Sequence, residues 1–352
     1  MTPFRPVPLQ HDDFRRDLRD VQKCVMSSHR SRRPRLTWSR VGLYPSPRHP
    51  CENVTLPSKL AFDQPEPIQS FEQLQKLEDS YRDERDRWIF RGLSSAEQDL
   101  RDELAPSMDR AFVRLGLIRN DSENGALKWE DRLLREFQRH FFRYSHRTPK
   151  LEDRVEWLAI MRHYGAPTRL LDWTYSFWVG VFFAMDRAKV GKEAVLWALP
   201  LDQWHALLNR TRPSLVERIR KIAPTPDLSL EDVKRRQHDI ILYEDNKQGV
   251  WPVNPFFLNE RLAAQQGLFL LPTDLRQSFV ENLAEMQDSA NGSPHLRRMP
   301  ILLDRDNLAA VYRHLFRINV TKTTLFPGLE GFAEHLAFRL VMPEHFRGAE
   351  AL

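Results

Sequence analysis

Cysteine is scarce in this sequence, since Cys24 and Cys51 are the only two among 352 residues. Two cysteines cannot build the framework of several disulfides that stabilises small secreted domains. No apolar run approaches the roughly 20 residues that span a bilayer. The first residues also lack the apolar segment of a secretory signal. We therefore expect a soluble, cytoplasmic protein that does not use a membrane as its partner.

Well-known catalytic motifs are missing as well. The sequence has no Walker-type phosphate loop, no glycine-rich dinucleotide fingerprint and no Gly-x-Ser-x-Gly elbow. These absences exclude the familiar patterns of NTPases, dehydrogenases and hydrolases, but they leave enzymatic activity itself open. No pair of His or Cys residues has zinc-ligand spacing, so we expect no metal site.

The net charge of +5 is concentrated at the N-terminus, where residues 1–40 contain ten Lys or Arg against four Asp. Residues 1–66 are rich in Pro, Arg and Ser and are predicted to form a flexible basic arm. Such an arm could neutralise nucleic-acid phosphates, or it could be a solvated tail without a partner. We expect a folded domain over residues 67–346 and a short tail over 347–352.

Apolar periodicity in the folded part predicts an α+β fold, in which a mixed sheet of short strands is surrounded by helices in a single domain. Helices are expected from an N-cap at Ser70, over 127–146, 152–164, 176–188, 259–265, 275–287 and 305–317, and from about Pro327. Strands are expected over 88–90, 194–199, 239–243, 267–271 and 299–303.

The first candidate site residue is Arg91, which follows the apolar run Trp88-Ile89-Phe90 and precedes Gly92. A guanidinium has a planar fork of donors that suits phosphate or carboxylate, and a following glycine lets a ligand approach the backbone. An arginine at a strand end could equally pair with an acidic neighbour. Both interpretations stay open at this point.

The densest polar segment runs from Arg162 to Thr174, in a stretch otherwise rich in leucine. Gly165 and Pro167 end the preceding helix, and buried Arg and Asp side chains then need partners. Arg169 and Asp172 could pair with each other, but we favour a ligand site. Its candidate ligand-binding residues are His163, Tyr164, Thr168, Arg169 and Asp172.

A third polar segment, residues 259–267, leads into an apolar strand. It contains Glu260, Arg261, Gln265 and Gln266, and it ends at Gly267. An ordinary turn from helix to strand, capped by the glycine, explains this pattern. Alternatively, the polar side chains lie at the entrance of a buried strand and contribute Arg261 and Gln265 to ligand binding.

Taken in order, these segments resemble the FRG domain, a family named after its Phe-Arg-Gly triplet. The matching blocks are Phe90-Arg91-Gly92, His163 to Thr174 followed by Phe182-Phe183-Ala184, Arg261 to Phe269, and Leu325 to Gly331. One departure is Arg162, where the family usually has Gln. The resemblance implies an FRG-type domain in a bacterial or phage-associated group, some members of which are linked to defence.

At the level of motifs, the chain is also similar to ADP-ribosyltransferases. That similarity implies that Arg91 holds a phosphate or ribose of NAD and that Thr168 supports the nicotinamide ribose. The position of the catalytic glutamate falls on Gln266, which cannot carry negative charge, so Glu260 is the nearest carboxylate. Gln266 and Glu260 are therefore the catalytic candidates for ADP-ribosyl transfer.

Two alternatives remain. The protein could be a non-catalytic module that binds nucleic acid or another partner through its basic arm. In the other alternative, the polar motifs serve only to stabilise the fold, and removing Arg169 or Asp172 would lower stability without affecting activity.

Overall fold

A seven-stranded mixed sheet organises the part of the chain that the computed structural model describes, which comprises residues 60–96, 100–145, 148–288 and 296–336. Its strands are β1 (Phe62–Asp63), β2 (Trp88–Leu93), β3 (Leu171–Thr174), β4 (Ala194–Pro200), β5 (Val250–Val253), β6 (Gly267–Pro272) and β7 (Leu296–Ile301). The strand order is β1-β7-β4-β2-β3-β6-β5. β1 and β7 are parallel, and all other neighbours are antiparallel.

Fourteen helices accompany the sheet within the described residues. They are α1 (Phe71–Asp83), α2 (Leu100–Glu103), α3 (Ser107–Leu115), α4 (Ala126–Phe141), α5 (Arg154–His163), α6 (Phe177–Met185), α7 (Leu201–Thr211), α8 (Pro213–Lys221), α9 (Leu230–Tyr243), α10 (Glu260–Ala264), α11 (Phe279–Asp288), α12 (Arg305–Arg317), α13 (Lys322–Leu325) and α14 (Leu329–His335). The prediction of an α+β fold with a mixed sheet among helices is confirmed.

Two apolar clusters cover the two faces of the sheet. Alternate residues of a strand point to opposite faces, and accordingly Ile89 and Trp197 belong to one cluster, whereas Phe90 and Leu196 belong to the other. Helix α6 supplies much of the second cluster, since eight of its nine residues are buried. Burying a large apolar side chain contributes roughly 1.5–3 kcal/mol, so these clusters hold the sheet between its helices.

Local signals locate several helix starts correctly. The side chain of Ser70 accepts a hydrogen bond from the backbone of Gln73, whose own side chain accepts from the Ser70 backbone, forming a capping box. Ser176 caps α6 with a single bond, since its side chain accepts from the backbone N–H of Val179. Such caps satisfy donors that a helix leaves free at its first turn.

The strand predicted over 239–243 is wrong, because these residues form the end of α9. The short run Ile240-Ile241-Leu242 is apolar enough for a strand. However, Ser229 caps a helix upstream, and the buried positions Val233, Ile240 and Ile241 lie on one side of it at helical spacing. Sequence patterns also did not predict helices α2, α3, α7, α8 and α13, the first part of α9, and strands β1, β3 and β5.

The boundary between arm and domain also differs from the prediction. Phe62 pairs with Leu296 in the sheet, and Leu60 and Phe62 pack against the apolar core. Residues 60–66 therefore belong to the domain. The rest of the predicted arm, with Cys24 and Cys51, and the tail over 347–352 lie outside the described residues. None of the described helices has the length and apolar character that crossing a membrane requires.

Candidate functional site

Strands β2 and β3 separate in the middle of the sheet. They share a single register pair, Phe90 with Thr174. Beyond that pair, β2 continues alongside β4 up to Leu93, and β3 follows β6 from Leu171. An opening therefore lies between the two strands, and Arg91 is the first residue of β2 to enter it.

The guanidinium of Arg91 bridges this opening through backbone oxygens. Its Nη1 donates to the carbonyl of Asp172 at 3.1 Å, and its Nε donates to the carbonyl of Glu103 at 3.4 Å. No carboxylate of the described residues lies within ion-pair distance of it. Burial lowers the pKa of Arg91 to about 10, while the charge of Asp172 opposes this effect. Arg91 is thus a cation at neutral pH without a carboxylate partner.

Two adjacent cavities lie at the opening, with volumes of about 140 and 130 Å³. We call them together the cleft. They share four lining residues, which are Arg162, Asp172, Arg261 and Gln265. The larger cavity is completed mainly by β2, β3 and α6, and the smaller one by α5 and the segment around α10. Residues far apart in sequence therefore meet at one place.

Arg162 and Asp172 form an ion pair within the cleft. The Nε of Arg162 donates to Oδ2 of Asp172 at 2.8 Å, and Nη2 donates to the same oxygen. Burial alone would raise the pKa of Asp172, but Arg162, with Arg91 and Arg261 behind it, outweighs burial and holds that pKa below its ordinary value. Asp172 is therefore ionised. Its Oδ1 accepts no hydrogen bond from the described residues, and 39% of the side chain remains exposed.

Arg261 provides the third guanidinium of the cleft. It packs on the ring of Phe326 at 4.4 Å, and no acceptor among the described residues forms a hydrogen bond or ion pair with it. Burial lowers the pKa of Arg261, whereas the charge of Asp172 raises it. Three arginines thus face one carboxylate, and the excess of positive charge suits an anion.

Two residues that line the cleft each have a ring nitrogen without a hydrogen-bond partner among the described residues. These nitrogens are Nε1 of Trp173 and Nδ1 of His163, both buried. Burial lowers the pKa of His163, and the nearby charge of Arg261 lowers it further, so its imidazole is neutral at pH 7. A buried polar atom without a partner costs about 1–3 kcal/mol, and a ligand in the cleft could supply the missing partner.

The structure brings six of the predicted site residues to the cleft. They are Arg91, Gly92, His163, Asp172, Arg261 and Gln265. Gln265 is 9% exposed and donates through Nε2 to the carbonyl of Leu325 at 3.0 Å. Residues from all three polar segments therefore line one cleft, although other residues of these segments lie elsewhere.

Gly92 lies at the cleft for a different reason from the one expected. A Cβ on this residue would be 2.0 Å from the carbonyl oxygen of Gly180 and 2.4 Å from the nitrogen of Ala184. Both atoms belong to α6. The helix backbone, rather than a ligand, occupies the space that the missing side chain leaves.

Arg169 and Thr168 lie outside the cleft. The Arg169 side chain is 3% exposed and donates to both oxygens of Glu130, at 2.8 and 2.5 Å. Glu130 also accepts from Arg154 at 2.6 Å. The pair between Arg169 and Asp172 is therefore not formed. Thr168 is fully buried, and its backbone N–H donates to the hydroxyl of Ser107 at 3.0 Å.

Tyr164, Gln266 and Glu260 are also absent from the cleft. Tyr164 is 67% exposed, and its ring approaches the rings of His163 and Phe141. Gln266 has a positive φ of 46° and lines another cavity, of about 560 Å³, which lies beside Tyr175 and shares Phe90 with the cleft. Glu260 is exposed in the first turn of α10, where the helix dipole favours a carboxylate. Neither proposed catalytic residue lines the cleft, and Asp172 is the carboxylate that does.

Sequence reasoning missed Arg162, Trp173 and Phe326 as parts of this site. The sequence signal for Arg162 was its departure from the family pattern, which usually has Gln at this position. Phe326 lies in the closing block of the resemblance, but nothing local connects it with Arg261. Among the described residues, no group of three or more His, Cys, Asp or Glu side chains is placed to hold a metal ion.

Comparison with known proteins gives one match. Residues 86–193 match the family model of the FRG domain. The match confirms the predicted FRG domain, and it includes Arg91, Arg162, His163 and Asp172, whereas Arg261 and Gln265 lie beyond it. No curated protein and no solved structure matches the chain.

Proposed function

Because this chain carries an FRG domain, we propose that the domain binds an anionic, nucleotide-like ligand in the cleft between β2 and β3. The observation that supports this proposal is the imbalance of charge. Arg91, Arg162 and Arg261 line the cleft with Asp172 as the opposing carboxylate. Only Arg162 is paired with it, so two guanidinium groups are available for phosphate or carboxylate oxygens.

The size of the cleft limits how much of a ligand is enclosed. Its two cavities of about 140 and 130 Å³ are each smaller than the roughly 300–1,000 Å³ of a drug-sized site. A phosphate and the sugar next to it match this space better than a whole dinucleotide. Bound NAD would thus place its phosphates at Arg91 and Arg261 and extend partly outside. NAD would supply an ADP-ribosyl group with nicotinamide as its leaving group.

ADP-ribosyl transfer is the finer form of this proposal. Such a reaction develops positive charge at a sugar carbon, which a nearby carboxylate stabilises. Asp172 is ionised, faces the cleft and has one oxygen that accepts from no donor among the described residues. It is better placed for this role than Glu260 or Gln266, neither of which lines the cleft. Arg162 would keep the carboxylate oriented.

Isothermal titration calorimetry tests ligand binding. Purified protein is titrated with NAD, ADP-ribose and AMP, and with adenosine as a ligand without phosphate. We expect the phosphate-bearing compounds to bind and adenosine to bind at least roughly tenfold more weakly, a difference of about 1.4 kcal/mol. Arg261→Met should weaken binding by a similar factor. The matched control is Arg82→Met, which alters an arginine that is 66% exposed on α1.

Two results would remove the proposal. One is the absence of binding by any phosphate-bearing compound at millimolar concentration. The other is equal affinity of the wild type and folded Arg261→Met. Transfer is tested separately by release of nicotinamide from NAD, and Asp172→Asn should abolish this release if the carboxylate has the proposed role.

The basic N-terminal segment supports a second candidate function, which is nucleic-acid binding. The ten Lys or Arg residues within residues 1–40 are the observation that favours it. We expect DNA or RNA affinity to fall steeply with salt and to be lost in a version that lacks residues 1–59. Unchanged affinity after truncation would contradict this candidate. The cytoplasmic location and a role in bacterial or phage defence remain predictions.

A further inference from the structure

A third cavity, of about 330 Å³, lies beneath helix α8. Its walls come from α7, α8, α9 and β5, and none of its lining residues lines the cleft. All of them follow the segment that matches the FRG domain, which ends at residue 193. The cavity is therefore a feature of this chain separate from the proposed nucleotide site, and its volume is within the range of small-molecule sites.

Apolar groups make up slightly more than half of the inner surface of the cavity. Leu208, Ile241 and Trp251 form its buried floor. Helix α8 covers it, and this helix has no fully buried residue. Val216 and Ile219 of α8 line the cavity and are half-buried. An apolar molecule in this space would complete their burial.

His238 introduces a polar group into the cavity wall. Its side chain is 3% exposed, and neither ring nitrogen makes a hydrogen bond of normal geometry. The backbone of Asn254 is near enough to favour the charged imidazole weakly, but burial dominates and lowers the pKa of His238 to about 3. The neutral ring still has one N–H donor, and leaving that donor unpaired is costly.

Positive charge accompanies the unpartnered imidazole. Lys234 and Arg220 line the cavity, and no carboxylate of the described residues forms an ion pair with either. Burial lowers the pKa of Lys234, and the carboxylate that opposes this effect is Glu156, which does not line the cavity. The cavity therefore combines apolar surface with two unpaired cations and a free N–H group. An amphipathic anion has the matching chemistry.

We propose that this cavity binds a small organic carboxylate with an apolar body. The apolar part would lie against Trp251 and the inner side of α8. The carboxylate would accept hydrogen bonds from Lys234 and from the ring N–H of His238, with Arg220 at the rim. This arrangement satisfies the unpartnered imidazole and fills the space under α8 at once.

Titration with octanoate, followed by calorimetry and by the intrinsic tryptophan fluorescence of the protein, tests the proposal. Octanol has the same chain without the charge. We expect octanoate to bind with one molecule per chain and octanol to bind at least roughly tenfold more weakly. Lys234→Met should weaken octanoate binding by a similar factor. Lys221→Met, which changes an exposed lysine of α8 paired with Glu217, should leave it unchanged.

Val216→Phe provides a second variant, because the larger side chain takes up part of the cavity while Lys234 is retained. It should weaken octanoate binding at least roughly tenfold, and it decides the question if Lys234→Met does not fold. The proposal is overturned if octanoate does not bind, if octanol binds equally well, or if folded Val216→Phe binds as the wild type does. AMP should not compete with octanoate, so failure here is distinguishable from failure at the cleft.

Discussion

Arg91 and Asp172 are joined through the backbone, since Nη1 of Arg91 donates to the carbonyl oxygen of Asp172 at 3.1 Å. The carboxylate of Asp172 instead pairs with Arg162, whose Nε lies 2.8 Å from Oδ2. Asp172 therefore binds Arg91 through its backbone carbonyl and Arg162 through its carboxylate. The charge of Asp172 can be removed by substitution without removing the acceptor that positions Arg91.

Asp172→Asn is expected to raise the affinity of the cleft for AMP by roughly threefold to tenfold. The variant removes the opposing charge, and partly exposed ion pairs of this kind contribute about 1 kcal/mol or less. Calorimetry of the folded variant checks this, with Asp202→Asn as a control outside the cleft. Weaker AMP binding by folded Asp172→Asn would show that the carboxylate contacts the ligand favourably.

Arg169→Met is expected to lower the free energy of unfolding by about 3–5 kcal/mol, since it leaves the buried Glu130 with Arg154 as its remaining partner. Affinity for AMP per folded molecule should not change, because Arg169 lies outside the cleft. Urea denaturation and calorimetry measure the two quantities. Arg82→Met breaks an exposed pair with Glu78 and should cost less than about 1 kcal/mol. If Arg169→Met were stable but bound AMP more weakly, this result would show that Arg169 takes part in ligand binding.

Gly92→Ala is expected to destabilise the domain by about 1–3 kcal/mol through overpacking, because its Cβ would meet the α6 backbone. Gly191→Ala is the matched control. Gly191 has a positive φ of 69° and open space around it, so its substitution reports backbone strain alone, at roughly 1–2 kcal/mol. Chemical denaturation compares the two. A Gly92→Ala variant as stable as the wild type would show that α6 can move away without cost.

Glu156 is expected to make stability depend on pH. Burial raises its pKa from 4.5 to about 7 in the folded protein, although the backbone N–H groups of Phe256 and Phe257 oppose this rise. The folded state therefore binds more protons than the unfolded state between these two values. The contribution of Glu156 to stability is fully present below the lower value and is lost as pH rises through the higher one.

Glu156→Gln should remove this dependence. The free energy of unfolding of the variant, relative to that of the wild type, should be higher at pH 8 than at pH 5 by about 1–3 kcal/mol, the order of magnitude for such a pKa shift. Urea denaturation at both pH values measures the gain, and Glu72→Gln, at an exposed position of α1, should show none. An equal pH dependence of wild type and Glu156→Gln would show that Glu156 titrates normally.

Local sequence determined much of the secondary structure and the identity of several cleft residues. Ser70 and Ser176 mark helix starts because a cap needs only neighbouring backbone N–H groups. Arg91 was identified because it directly follows a short apolar run, which indicates a strand, and precedes a glycine. These features depend on a few consecutive residues, so they are visible before any tertiary contact is known.

Tertiary structure alone decided which charges meet. Arg169 and Arg162 both lie near Asp172 in the sequence, yet Arg169 pairs with Glu130 on α4 and Arg162 pairs with Asp172. Adjacent Gln265 and Gln266 likewise face different cavities. The choice depends on how β3 and α5 pack against distant elements, and on the separation of β2 from β3. Partners across such distances are set by the packing of the whole core, which no short stretch of residues encodes.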